Sequence, residues 1–258
     1  MAIPGAPDPA ALQCFEREFR ERELDFGGDR RVRFERRVET EAVVRRVRGA
    51  AGLRVLDAGS GIGRVSHALL RRRAQVTALD FAHARLQQLR RQAPARGRLA
   101  LAQADLTRLP LAPRSFDTIV CTQVIEHLPT TAARSKLLSD FCRLLRPGGR
   151  LLLTAYNYSQ PWQRRGDAVE GRHPTGIFYH CYRAPELRAE LEAVGFELLE
   201  LCGLLHLWPH SYRLLPRLGG LGRALDHAGE LMPAQGARWG HLLLAHAGVQ
   251  PARLQLHR

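Results

Sequence analysis

The sequence predicts an α/β fold, a mostly parallel sheet covered by helices. Two observations carry that expectation. The first is the stretch Val55-Leu56-Asp57-Ala58-Gly59-Ser60-Gly61-Ile62-Gly63-Arg64, in which an apolar run ends in an aspartate and glycines then fall at alternate positions. The second is the recurrence of short apolar runs with acidic or polar tips, separated by helical segments. Such alternation builds parallel sheets, because each strand must return to the same end through a crossover.

The elements follow in order. Residues 10–24 read as a short helix, and 31–48 as a longer one with Val32, Val43, Val44 and Val47 among many charges. Val55 and Leu56 close a buried strand. The glycines after them permit a tight turn and close approach of a ligand to the backbone. Arg64 to Arg73 reads as a helix. Gln75 to Leu79 is the second strand, and its tip is Asp80. That acid lies roughly 20 residues past the glycine turn, where nucleotide-binding βαβ units place a carboxylate for ribose hydroxyls. Arg98 to Gln103 is the third strand, followed by Ala104-Asp105-Leu106. Phe116 to Thr122 is the fourth, and leads into Gln123-Val124-Ile125-Glu126-His127-Leu128. Gly149 to Thr154 is the fifth. All these tips point to one crevice at the carboxyl end of the sheet.

Residues 157–183 break the pattern. They are too long and too aromatic for a simple connection, and such loops are usually lids or binding loops. Ala184 to Val194 reads as a helix and Phe196 to Leu201 as a strand. Residues 204–239 carry Trp208, Pro209, Pro216 and several glycines, and read as two or three short helices before a last strand, His241 to Ala245.

Composition narrows the class. A chain of 258 residues buries a full core, and one domain with appended helices is the natural organisation. No run of about 18 apolar residues occurs, so no membrane span is expected. Met1 to Pro9 lacks the charged-then-apolar order of a signal peptide. Cys14, Cys121, Cys142, Cys181 and Cys202 are scattered and without metal-ligand spacing. They read as reduced thiols of a cytoplasmic protein, with no metal site. The net charge of +14 points towards nucleic acid, but Lys136 is the only lysine. The arginine excess resembles high-GC bacterial coding, and its spread along the chain reads as a solvated basic surface rather than a nucleic-acid face.

Five segments together resemble the class I S-adenosylmethionine-dependent methyltransferases, most closely the small-molecule group. They are LDAGSGIGR (56–64), LD (79–80), ADL (104–106), SFDTIVCTQVIEHL (115–128) and LRPGGRLLLTAYN (145–157). The resemblance covers residues 40–203 and, more loosely, 241–247. It implies a Rossmann-like, seven-stranded, mostly parallel sheet of order 3-2-1-4-5-7-6, whose antiparallel last strand slots between the fifth and sixth. The single domain then divides into an N-terminal helical cap (1–50), a cofactor-binding core (51–203) with a lid (157–183), a helical insert (204–240), and the last strand with a tail (241–258).

The resemblance also implies site roles. Gly59, Gly61 and Gly63 form the turn under the methionine part of S-adenosylmethionine, and Asp57 contacts its amino end. Asp80 takes the ribose hydroxyls, with Phe81 against the adenine. Asp105 accepts the adenine amino group and Leu106 lines the base. Thr122 and Gln123 lie beside the methionine part. Two of these positions have a plainer reading: Gly63 as a helix-packing glycine, and Asp105 as a helix N-cap.

The electrophile belongs to the cofactor, so the protein mainly has to orient a nucleophile. A base is needed only where the nucleophile must lose a proton. His127, beside Glu126, and His180 in the lid are the candidates, with His173, Tyr179 and Tyr182 nearby. Either histidine also reads as a structural group. Tyr156, Tyr158, Trp162, Phe178 and Tyr179 form a wall for a flat acceptor or anchor the lid. The expected reaction is methyl transfer to an oxygen or nitrogen of a small-molecule acceptor, an aromatic or secondary metabolite, leaving S-adenosylhomocysteine. The expected assembly is a monomer or homodimer.

Rival readings remain open at this point. An RNA or protein methyltransferase would exploit the charge. An enzyme acting on a quinone or lipid would bring residues 204–225 to a membrane, but the role expected of that insert is to pack over the active site as a substrate cap. A nicotinamide-dependent dehydrogenase fits poorly, because its fingerprint spaces the glycines as GxGxxG. A cofactor-binding protein with non-methylating chemistry shares the same fold.

Overall fold

A computed structural model describes residues 30–206 and 214–249. The helix expected at 10–24, and Cys14, Trp208 and Pro209, lie outside the described residues.

Nine strands and eight helices follow one another. Helix α1 spans Arg30–Arg46, then come β1 (Arg54–Ala58), α2 (Arg64–Arg71), β2 (Gln75–Asp80), α3 (His83–Gln92), β3 (Arg98–Gln103) and β4 (Phe116–Thr122). A short 3-10 turn at Ile125–His127 precedes α4 (Thr131–Leu144) and β5 (Leu145–Tyr156). The lid holds α5 (Gln160–Arg165) and the strand pair β6 (Glu170–Arg172) and β7 (Phe178–His180). Last come α6 (Ala184–Ala193), β8 (Phe196–His206), α7 (Gly220–Glu230), α8 (Pro233–Trp239) and β9 (Gly240–Val249).

The main sheet has the order β3-β2-β1-β4-β5-β9-β8. Setting the lid hairpin aside, β8 and β9 are the sixth and seventh strands, so the expected topology is observed. Strands β1 to β5 pair in parallel, and β9 is antiparallel to both β5 and β8. Alternation along each strand serves two cores, one per face of the sheet. Leu56, Ile119, Cys121, Leu151 and Leu153 face α4 and α6, meeting Leu137, Leu138, Phe141, Leu187 and Leu191. Val55, Val76, Val120 and Leu152 face the other way, onto Ala42 and Val43 of α1 and Leu69 and Leu70 of α2. Each large apolar side chain so buried contributes about 1.5–3 kcal/mol. Covering both faces leaves the carboxyl ends of β1, β2 and β4 as the natural opening.

Two edges differ from the sequence expectation. Strand β8 runs well past Leu201, because Cys202 pairs with Leu244, Leu204 with Leu242 and His206 with Gly240, and β9 runs past Ala245, because Ala247 pairs with Leu198 and Val249 with Phe196. Leu204 reads as the start of a helical insert, but pairing with β9 holds it in the strand, while Leu205 has φ +56° and donates its N–H to Asp226. Residues 214–239 do not cap the active site either. They pack on β8 and α1, and none of them lines the central cavity. No helix among the described residues is long and apolar enough to cross a membrane.

Candidate active site

The site begins where β1 ends. Gly59 and Ser60 both donate their N–H groups to the Leu79 carbonyl, at 2.8 and 2.9 Å, which folds the turn over the end of β2. Gly59 has φ +77°, and a Cβ there would collide with Val124. Only glycine satisfies both demands. Gly63, at φ +90°, sits at the start of α2, where a Cβ would collide with Leu89. Its role is helix packing, and it does not line the cavity.

A cavity of about 640 Å³ opens above this turn, within the range of ~300–1,000 Å³ typical of small-molecule sites. At one end it is lined by Asp57, Gly59, Gly61, Asp80, Phe81 and Leu106. Asp57 is buried and accepts a hydrogen bond of 2.6 Å from Ser66. Burial pushes its carboxyl up to about 6, against the opposing pull of Ser66 and Arg64. Asp80 stands at the tip of β2 but is only 6% exposed. One of its oxygens accepts from Gly61 N–H at 2.8 Å and the other from Ala82 N–H at 2.9 Å. The acid therefore also holds the glycine turn in shape. Asp105 stands apart from the cavity, and its carboxylate accepts from the N–H and hydroxyl of Thr107, both at 2.8 Å. These bonds close a local turn, and no helix starts there for Asp105 to cap.

The middle of the cavity rests on a carboxylate that no sequence motif signalled. Glu39 of α1 is fully buried. It accepts from Arg64 at 2.6 Å, from Gln123 at 2.7 Å, and from the hydroxyl of Thr154. Gln123 has φ +53°, rare for a side chain of its kind. Its N–H donates to Thr154, and its amide to Glu39, so the conformation is held from both sides. Such held strain concentrates at functional sites. Arg64 also donates to the Arg36 carbonyl and the Thr40 hydroxyl. Through these contacts α1 closes the cavity, to which it contributes Arg31, Val32, Glu35 and Arg36.

The far end is aromatic. It is lined by His127, Tyr156, Trp162, His173, Ile177 and His241. The rings of His127 and Tyr156 meet edge to face at 6.0 Å, and Trp162 stacks near His241 at 6.2 Å. Nδ1 of His127 lies 2.8 Å from the Phe178 carbonyl. A carbonyl only accepts, so Nδ1 carries the proton and Nε2 of the neutral ring keeps its lone pair. His241 is pushed down to about 4 by burial, with Arg31 and Arg165 adding to the effect. It is neutral at physiological pH.

The structure thus separates the expected site residues into two groups. Asp57, Gly59, Gly61, Asp80, Phe81, Leu106, Thr122, Gln123, His127, Tyr156 and Trp162 share the cavity. His180, Tyr158, Phe178 and Tyr179 do not. His180 is buried in the lid with Nδ1 2.9 Å from Glu170 and Nε2 2.7 Å from Glu186, so neither nitrogen is available to a substrate. The Tyr158 hydroxyl donates to the Asp167 carbonyl, and Arg183 covers its ring. Phe178 contributes only its carbonyl, to His127. Tyr179 packs behind the wall, 4.9 Å from His173 and 6.2 Å from Trp162. The anchoring alternative fits these three aromatics. Glu39 and His241 were missed, because each reaches the site only through packing between distant segments; Arg64, at the end of the glycine motif, and Arg85, which also lines the cavity, carried no local signal of a site role.

The comparisons with known proteins agree with this geometry. Residues 56–153 match the family model described as a methyltransferase domain. A ubiquinone biosynthesis O-methyltransferase of Xanthomonas euvesicatoria pv. vesicatoria is 33% identical over 181 residues, which cover 65% of this chain and 72% of that protein. The chain is a class I S-adenosylmethionine-dependent methyltransferase. A second ubiquinone biosynthesis O-methyltransferase, from Xylella fastidiosa, is 41% identical to it over 65% of this chain and 70% of its own length. In fold, the methyltransferase is similar to the 1,6-didemethyltoxoflavin-N1-methyltransferase of Burkholderia thailandensis, solved with S-adenosylhomocysteine bound. The TM-score is 0.65 at 18% identity, covering 96% of this chain and 93% of that one. The methyltransferase uses S-adenosylmethionine and releases S-adenosylhomocysteine.

Proposed function

We propose that the methyltransferase acts on an oxygen of a small, flat acceptor held at the aromatic end of the cavity. The observation that carries this reading is the continuity of one cavity, from the acidic glycine turn to the wall of His127, Tyr156, Trp162 and His241. The residues at the first end suit the cofactor. Asp57 and Asp80 offer carboxylates to an ammonium group and to ribose hydroxyls. Gly59 and Gly61 leave the floor bare, and Phe81 and Leu106 supply apolar surface for a base.

When bound there, the cofactor supplies a methyl group on a positively charged sulfur. The protein's part is to orient the acceptor and receive its proton. Tyr156 and Trp162 hold a flat ring on its faces and edges. With the cofactor bound, an acceptor hydroxyl that took the methyl group would give up its proton to Nε2 of His127. The Phe178 carbonyl stabilises the resulting imidazolium through Nδ1. Lid residues Pro174, Thr175 and Ile177 keep water from this end. Oxygen is favoured over nitrogen because the relatives quoted above are named as O-methyltransferases.

The test uses cofactor carrying a labelled methyl group, added with the enzyme to cell extract divided into small-molecule, lipid, RNA and protein fractions. Label in the small-molecule fraction, on a product whose methyl survives as an ether, is the expected outcome. Label confined to RNA or protein would overturn the proposal.

A further inference from the structure

Helix α7 is amphipathic in the reverse of the usual sense. Its buried positions are Gly222, Asp226 and Glu230, four residues apart and so on one face. Asp226 accepts from the N–H groups of Leu205 and His206, at 3.2 and 2.8 Å. Glu230 accepts from Arg45 at 2.8 Å and from Arg46 at 3.0 Å. The acids thus face the protein and the leucines face outward. Leu221 and Leu225 are 60% and 51% exposed. Leu214 and Leu218 extend the patch before the helix, and Leu231 and Met232 extend it after. Among the described residues these six account for all the exposed large apolar side chains except Leu199. Single exposed leucines need no explanation, but such a concentration marks an interaction surface.

The charge of the same segment identifies the partner. Residues 214–239 contain only two acids, Asp226 and Glu230, and both are buried. The exposed charged side chains of this segment, Arg217 and Arg238, are cationic. A second copy docked through the same patch would bring like charges together on a chain of net charge +14. An anionic bilayer complements both features, with leucines entering the headgroup–acyl boundary and arginines remaining at headgroup level.

We propose that residues 214–232 dock the methyltransferase on an anionic lipid bilayer, with α7 lying in the plane of the interface. The proposal is independent of the acceptor and of the proton-accepting residue.

The test is cosedimentation of the full chain with vesicles of phosphatidylcholine alone, and of phosphatidylcholine mixed with phosphatidylglycerol. Binding to the mixed vesicles, weakened by salt and at least tenfold stronger than to the neutral ones, is expected. The double variant L221E/L225E replaces two outward-facing side chains. It should lose at least tenfold in vesicle affinity, with unchanged Tm and cofactor affinity. L199E, an exposed leucine outside the patch, should bind vesicles as the parent does. Absence of binding to mixed vesicles, or binding that the double variant leaves intact, would overturn the proposal. So would a stable dimer in solution that L221E/L225E dissociates, because the patch would then be an interface between copies.

Discussion

The carboxylate of Glu39 lies 2.6 Å from the guanidinium of Arg64, and this ion pair joins the helix that covers the cavity to the helix that starts at the glycine turn. Its acid side is fully buried and its cation is partly exposed. Because Gln123 and Thr154 donate to the same carboxylate, one side chain links α1, α2, β4 and β5.

Removing that acid should therefore cost both stability and function. Glu39→Ala leaves the partly exposed guanidinium of Arg64 and two donors without their acceptor, and should destabilise the fold by about 3 kcal/mol. Glu39→Gln keeps an acceptor and should cost less than half as much. Urea unfolding measures both. Cofactor affinity should fall in the same order, because Gln123 loses one of the two contacts that hold its backbone.

If Asp57 holds the cofactor's ammonium group as proposed, cofactor binding should depend on pH. The folded-state value of Asp57, about 6, lies above that of an unfolded chain, about 3.9. The native state therefore binds more protons between these values, and folding stability from this group falls as pH rises through the window. Cofactor affinity should move the opposite way, because an ammonium favours the ionised acid. Calorimetry between about pH 5 and about pH 7.5 should show affinity rising through pH 6 and then levelling. Asp57→Asn should bind more weakly and lose that rise.

Asp80 braces the glycine turn and is proposed to bind the ribose. Asp80→Ala removes the acceptor of Gly61 and Ala82, so it should lower stability by about 2–3 kcal/mol as well as weaken the cofactor. Asp80→Asn keeps one acceptor oxygen and should recover part of the stability but little of the affinity. An unchanged cofactor affinity in both variants would remove Asp80 from the ribose site.

The two candidate histidines should behave differently. His127→Ala should reduce kcat by about 10²–10⁴ with cofactor affinity nearly unchanged. His180→Ala should act through stability, because it leaves Glu170 and Glu186 without their shared partner in a buried position. Its kcat for the fully folded fraction should match the parent. A large kcat defect in His180→Ala at full folding would return the lid histidine to the chemistry.

Much of the site was legible because it lies where local patterns terminate. Asp57, Gly59, Gly61, Asp80, Leu106, Thr122 and Gln123 each stand at or just beyond the end of an apolar run, and parallel strands deliver all such ends to one edge. The motifs read less well in the lid. Tyr156, Tyr158, Trp162, Phe178, Tyr179, His127 and His180 are equally aromatic or titratable in sequence, yet only Tyr156, Trp162 and His127 line the cavity. No periodicity distinguishes a lid residue turned inward from one turned towards its own loop.

The order of apolar runs, glycines and acidic tips by itself determined the parallel core of the sheet and the edge at which the cavity opens, because parallel strands joined by right-handed crossovers deliver every strand tip to one edge; the strand order was implied by the family resemblance. Tertiary structure alone decided which charges became buried partners. Glu39 meets Arg64 and Thr154 across 25 and 115 residues of chain. Asp226 and Glu230 turn inward on α7 only because the backbone of β8 and the arginines of α1 await them. A buried charge is stable only where packing supplies its counterpart, and that pairing lies between segments rather than within any one of them.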